Sequence, residues 1–212
     1  MAEEVTRALW YIGAPNRGAP MTVTQLDGDS VYTVSEFLAP DECAAFVAQS
    51  EAAGYGDAEV AGVVVKDFRD NDRVLFDDAA LAARLFERAL PFLPPVIEGK
   101  VPVGFNERFR FYRYGPGQTF KPHVDGAHHR FALRQASELT FLMYLNDDFT
   151  GGETNFFFDY ALHLALGGRV RFGVRPVRGT ALVFRHRLLH EGAPVLTGRK
   201  YVLRTDVMYG PP

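Results

Sequence analysis

Cysteine is almost absent from this chain: its 212 residues include one, Cys43, so no internal disulfide can form. Cys43 falls in a helical pattern, where a small buried thiol is the expected role. No apolar run approaches the ~20 residues of a membrane span. The opening Met1-Ala2-Glu3-Glu4-Val5-Thr6-Arg7 lacks the basic-then-apolar layout of a secretory signal. The expectation is therefore a soluble, cytoplasmic protein with no membrane partner. An excess of one charge sign is missing too. With 23 basic against 26 acidic side chains and a net charge of −3, the chain has no basic footprint of the kind nucleic-acid binders carry. Arginines thicken between residues 169 and 204, which reads as a solvated or site-lining face. Repeats and low-complexity tracts are also lacking, which excludes a repeat architecture.

What the chain does hold is enough apolar material for a core, with 47% hydrophobic and 13% aromatic residues. At this length that predicts one compact domain over residues 1–212. Residues 1–30 read as a lead-in segment whose Leu9-Trp10-Tyr11-Ile12 cluster is expected to dock on the domain. Residues 31–106 read as a helical buttress. It begins with a short strand over 31–34. A helix follows, opened by Pro40, with Cys43, Phe46, Val47 and Ser50 on one face and Gly54 as its stop. A second helix is predicted with an Asp77-Asp78 cap, Leu81, Leu85, Phe86 and Leu90 along it, and Pro91 as its end.

From residue 107 the period changes to two. Phe109 and Phe111 alternate with Arg108, Arg110, Tyr112 and Tyr114, and further strands are predicted over 139–145, 170–174, 181–184 and 201–209. The fold class is mostly β with flanking α-helices, its β core spanning 107–210.

The chemistry is concentrated in His123-Val124-Asp125 and the distant His190. Residues at i and i+2 of an extended segment project from one face. Two imidazoles and one carboxylate form a facial triad suited to non-haem Fe(II), with three coordination positions left for co-substrate and O2. Six histidines and fourteen aspartates in 212 residues produce about 0.4 His-x-Asp pairs by chance, so spacing alone decides little. His186 and His190 offer a rival i, i+4 zinc pair. Residues 181–184 read as a strand, however, and no glutamate lies between the two as a metalloprotease would need. His128 and His129 read as solvated loop residues and His163 as a half-buried structural one.

The surroundings of the triad are more specific. They include Tyr114-x-x-Gly117-Gln118-x-Phe120-x-x-His123-x-Asp125, then Thr140 to Leu145, Gly151-Gly152-Glu153-Thr154-Asn155-Phe156 and Pro176-x-x-Gly179. The last block is His190-Glu191-Gly192-x-Pro194, with Lys200-Tyr201-x-Leu203-Arg204-x-Asp206 behind it. In this order the chain resembles the prolyl 4-hydroxylase-like branch of the Fe(II)/2-oxoglutarate-dependent dioxygenases. The resemblance implies a double-stranded β-helix (jelly-roll, cupin-like) core and an enzyme using Fe(II), 2-oxoglutarate and O2. The implied reaction hydroxylates an unactivated C–H of a protein side chain (prolyl-type) or of a small molecule, releasing succinate and CO2. Asp125 favours hydroxylation, because halogenating relatives carry a small residue there.

The resemblance also implies roles for individual residues. His123, Asp125 and His190 bind the metal. Lys200 pairs with the distal carboxylate of 2-oxoglutarate, with Tyr114, Thr154 and Tyr144 as further contacts. Phe120 replaces a tyrosine often found there and removes one hydroxyl. Arg204 either orients the co-substrate, meets an acidic group of the substrate, or pairs with Asp206. Arg110 and Tyr112 are expected along the mouth, and Arg69, Asn71 and Arg73 in the 55–76 segment that forms a lid in prolyl hydroxylases. Two other readings stay open: a non-catalytic metal-binding or interaction domain of the same fold, and an oxidative demethylase of nucleic acid, which the acidic balance disfavours.

Overall fold

The computed structural model describes residues 20–60, 63–64 and 66–212, with the side chains of 59–65 left out. The lead-in aromatics at 9–12 lie outside the described residues.

Two antiparallel sheets face one another. The larger runs in the order Thr22–Asp27, Val31–Ser35, Ala181–Arg185, Gln135–Tyr144, Lys200–Gly210, Arg108–Tyr114, Asp72–Asp77 and Gly56–Asp57. Val101–Phe105 pairs with the far half of Lys200–Gly210, and His129–Arg130 pairs with Gln135–Tyr144. The smaller sheet runs Val170–Val174, Thr154–Phe157, His190–Gly192 and Phe120–His123. This is the jelly-roll arrangement, with the predicted strands in it.

Strict alternation gives the larger sheet two apolar faces. Phe109, Phe111, Tyr201, Leu203 and Val207 point outward and, with Phe46, Leu81 and Leu85 from the helices, build the main core. Tyr112, Tyr114 and Val202 point inward and meet Phe120, Phe156 and Phe184 between the sheets.

The two helices cover the outer face. Pro40–Ala53 has proline at its first turn, and Glu42 reaches back to accept from the Ala39 N–H at 2.8 Å. The same buried carboxylate takes the Arg88 fork at 2.8 and 2.9 Å, while Arg88 also donates to the Phe37 carbonyl. That network ties the first helix to Ala79–Ala89. Cys43 is fully buried as expected, and burial pushes its thiol up to about 12, so it is no nucleophile.

Several expectations are corrected here. Only Asp78 caps the second helix, accepting from the Leu81 N–H at 2.8 Å; Asp77 ends the preceding strand and pairs with Arg108. The second helix stops at Ala89, just before Pro91 as expected, and the chain continues through a 3-10 turn, Leu90–Phe92. Residues 31–106 are more than a helical buttress, since four of their segments join the larger sheet. A short helix over Tyr160–Ala165, capped by Asp159, is unforeseen because its Tyr160, Leu162 and Leu164 all face solvent and leave no amphipathic period.

Candidate active site

His190 lies opposite His123 in the smaller sheet, and Asp125 follows that strand by two residues, its N–H donating to the His186 carbonyl at 2.9 Å. The three donor atoms fall within 4.8 Å of one another. Each imidazole is aimed from behind. His123 Nδ1 bonds the Lys121 carbonyl at 2.7 Å and His190 Nδ1 bonds the Leu188 carbonyl at 2.9 Å. A backbone acceptor fixes the Nδ1–H tautomer and leaves the Nε2 lone pair for a metal. Both Nε2 atoms converge on Asp125, at 3.8 and 3.6 Å from its oxygens.

Electrostatics favour the ligating forms. Burial drives His123 down to about 3, assisted by neighbouring His190, and burial lowers His190 as well. Burial would raise Asp125, but the Arg204 guanidinium and the two imidazoles outweigh it and hold the carboxyl below the ordinary range. Arg204 Nη1 lies 2.7 Å from Asp125 Oδ1, and Thr140 Oγ1 donates to Oδ2 at 2.5 Å.

Thr140 is itself held by His186 Nδ1 at 2.9 Å, and His186 Nε2 meets Ser137 Oγ at 2.8 Å. Both nitrogens of His186 are thus engaged, which removes the His186–His190 zinc pair. His128 and His129 are exposed and His163 is half-buried, all as expected.

Lys200 occupies the inner end of the cleft. It is 3% exposed, and its ammonium donates to the Gly152 carbonyl at 2.6 Å. The rings of Tyr114 and Tyr144 lie 5.2 and 5.7 Å away. Desolvation lowers it to about 7. A buried ammonium with one carbonyl acceptor among the described residues is the environment an incoming carboxylate satisfies.

Register places Tyr114 directly opposite Lys200. Tyr144 Oη and Thr154 Oγ1 bond each other at 2.8 Å beside them. The Gly-Gly-Glu-Thr motif has a steric reason. Gly151 and Gly152 both take positive φ, and a Cβ on Gly151 would stand 2.6 Å from the Pro194 carbonyl. The donor set and the buried cation therefore fit Fe(II) and an acidic co-substrate.

Of the remaining predicted residues, Tyr112 and Arg204 line the cleft. Arg204 makes the expected pairing with Asp206 at 3.2 Å and an unforeseen one with Asp125. Arg110 also pairs with Asp206, at 3.1 Å. Asn71 does not enter the cleft; it is buried and accepts from Arg69 Nε at 2.9 Å. Arg73 is half-buried beside Tyr112 on the neighbouring strand. Sequence reasoning underrated Arg69, whose guanidinium lies between the rings of Tyr112 and Phe120 at 4.6 and 4.4 Å. It missed the Thr140–His186–Ser137 support altogether. These residues are remote from His123 in sequence, and their alternation within Gln135–Tyr144 is the one signal that would have found Thr140.

Comparison with known proteins agrees with this geometry. Residues 109–205 match the family model of the 2OG-Fe(II) oxygenase superfamily. Prolyl 4-hydroxylase 1 of Arabidopsis thaliana is 28% identical over 193 residues, covering 81% of this chain and 66% of the relative. Probable prolyl 4-hydroxylase 9 of the same plant is 30% identical over 117 residues, covering 48% and 41%. The chain thus spans less than two thirds of the length of these curated relatives. Among solved structures, a Pseudomonas putida prolyl-4-hydroxylase superposes with a TM-score of 0.64 at 19% identity, covering 84% of this chain and 92% of that one. The viral collagen prolyl hydroxylase of Paramecium Bursaria Chlorella virus-1, in its 2OG complex, gives 0.58 at 21% identity over 88% and 99%. With His123, Asp125 and His190 brought together between two jelly-roll sheets, residues 109–205 match the 2OG-Fe(II) oxygenase superfamily and the chain is similar to prolyl 4-hydroxylases.

Proposed function

We propose that this protein hydroxylates an unactivated C–H bond, using Fe(II), 2-oxoglutarate and O2 and releasing succinate and CO2. The substrate class is a protein or peptide side chain, prolyl-type by similarity to the relatives. The observation that carries the reading is the pairing of a converged His123–Asp125–His190 set with a buried Lys200 at the far end of the same cleft. A pure metal-binding module has no use for that second cation.

In this reading the two imidazoles and Asp125 hold the iron on one face, and Thr140 and Arg204 fix the carboxylate so that it does not swing. Lys200 binds the distal carboxylate of 2-oxoglutarate. Tyr114, Thr154 and Tyr144 supply hydroxyls along its path. The bound metal and co-substrate supply oxygen activation; the protein orients, excludes water and selects.

Residues 66–73 act as the cover. Phe68 stands edge-on to Phe120 and His123, its carbonyl accepts from the Lys121 N–H at 3.0 Å, and Asp70 accepts from the Thr119 N–H at 2.6 Å.

Iron-dependent succinate formation in air tests the reading, because uncoupled turnover proceeds without the true substrate. Wild-type protein should form succinate from 2-oxoglutarate, and Asp125→Ala should not. Metal retained with no succinate from the wild type would overturn the assignment.

A further inference from the structure

We propose that the part of the cleft beyond the metal ligands is an anion-binding subsite, so that the substrate carries a carboxylate or similar anionic group near the carbon that reacts. The inference rests on the function proposed above and narrows it to acidic substrates.

Three guanidiniums meet around Tyr112. Arg69 lies over its ring, and against the raising effect of burial the charges of Arg204, Arg69 and Arg110 together lower the pKa of its hydroxyl. Arg110 and Arg204 are directly opposed across two strands, two residues along from the Tyr112–Val202 pair. Two carboxylates face them, Asp125 and Asp206. In the proposed function Asp125 is a metal ligand and its charge is committed to the metal, which leaves Asp206 as the carboxylate paired with both Arg110 and Arg204. Glu191, also at the cleft, is engaged by Asn155.

The hydrogen bonding is incomplete in the same place. Arg69 Nη2 and Arg204 Nε are buried without a partner among the described residues, in residues 6% and 9% exposed. Buried guanidinium N–H groups without acceptors are costly, and an incoming oxyanion supplies the missing acceptors.

The co-substrate does not account for these cations. Lys200 lies four residues back along the strand from Arg204, about 13 Å away at strand rise, with its own tyrosines around it. The cleft therefore has two cationic ends, one for each of two anionic ligands.

The test uses protein loaded with Mn(II) and saturating 2-oxoglutarate, without oxygen, so that Lys200 is occupied. The probes are N-acetylglutamate methylamide and N-acetylglutamine methylamide, which differ in one carboxylate. Broadening of their proton resonances by the bound Mn(II) reports residence beside the metal without any turnover. The glutamate probe should broaden at a concentration roughly tenfold lower than the glutamine probe, with the preference shrinking as salt rises. Arg110→Gln and, separately, Arg69→Gln should bring the two probes together, with thermal melting confirming that each variant is folded.

Equal broadening by the two probes, or none from either, would overturn the subsite while leaving the proposed function standing, provided that 2-oxoglutarate still binds. A preference that survives both substitutions in folded protein would overturn it as well. If Mn(II) and 2-oxoglutarate fail to bind the wild type, the proposed function falls and takes this inference with it.

Discussion

Lys200 gives the residue scale its sharpest consequence. Its ammonium, held down to about 7 by burial, must be charged to receive a carboxylate. Binding therefore takes up a proton once the pH exceeds 7, and the affinity for 2-oxoglutarate should fall by about tenfold per pH unit above that point. Calorimetry across pH 6.5 to 9 checks this, and a flat profile would contradict it. Lys200→Ala should weaken 2-oxoglutarate roughly 100-fold while metal binding persists, the scale expected when one partner of a buried charged pair is removed.

The imidazoles behave oppositely from exposed ones. His123 is lowered to about 3 and His190 is lowered too, so protons compete poorly with metal. Metal affinity should accordingly change little between pH 7 and 5.5, where an ordinary histidine site would weaken. His123→Ala should abolish it. These residues were legible in the sequence because ligand chemistry demands particular types at particular spacings. Thr140 and His186 were not, because a supporting hydrogen bond constrains geometry rather than composition.

At the scale of elements, the two helices hold the outer face of the larger sheet, and their junction depends on one buried ion pair. Glu42 is 1% exposed and also ties down the Ala39 N–H. Arg88→Ala leaves that carboxylate buried without its cation and should cost about 3 kcal/mol. Urea unfolding with an unchanged slope and a lower midpoint would be the signature.

Both helices announced themselves in the sequence through proline, aspartate and apolar spacing. Three of the short strands did not. Phe120–His123 contains Pro122, Thr154–Phe157 follows two glycines, and Asp72–Asp77 places aspartates at both ends. Each becomes a strand because a neighbour supplies its hydrogen bonds, which no local pattern records. The jelly-roll topology was reached through the resemblance, since alternation alone predicts strands and not their order.

For the whole molecule, folding brings together candidate metal ligands that are 67 positions apart and sets two buried cations, Lys200 and Arg204, along one cleft inside a chain of net charge −3. Among the described residues no helix is long and apolar enough to cross a membrane. Metal and co-substrate bind only the folded form, so together they should raise the melting temperature. A ligand at one hundred times its Kd adds about 2.7 kcal/mol.

The central claim is that one cleft binds metal and 2-oxoglutarate as a coupled pair. Calorimetric titration of 2-oxoglutarate into oxygen-free protein, with and without stoichiometric Mn(II), tests it most directly. The account predicts micromolar binding with the metal and a large loss of affinity without it. Folded, metal-loaded protein that takes up no 2-oxoglutarate would contradict it.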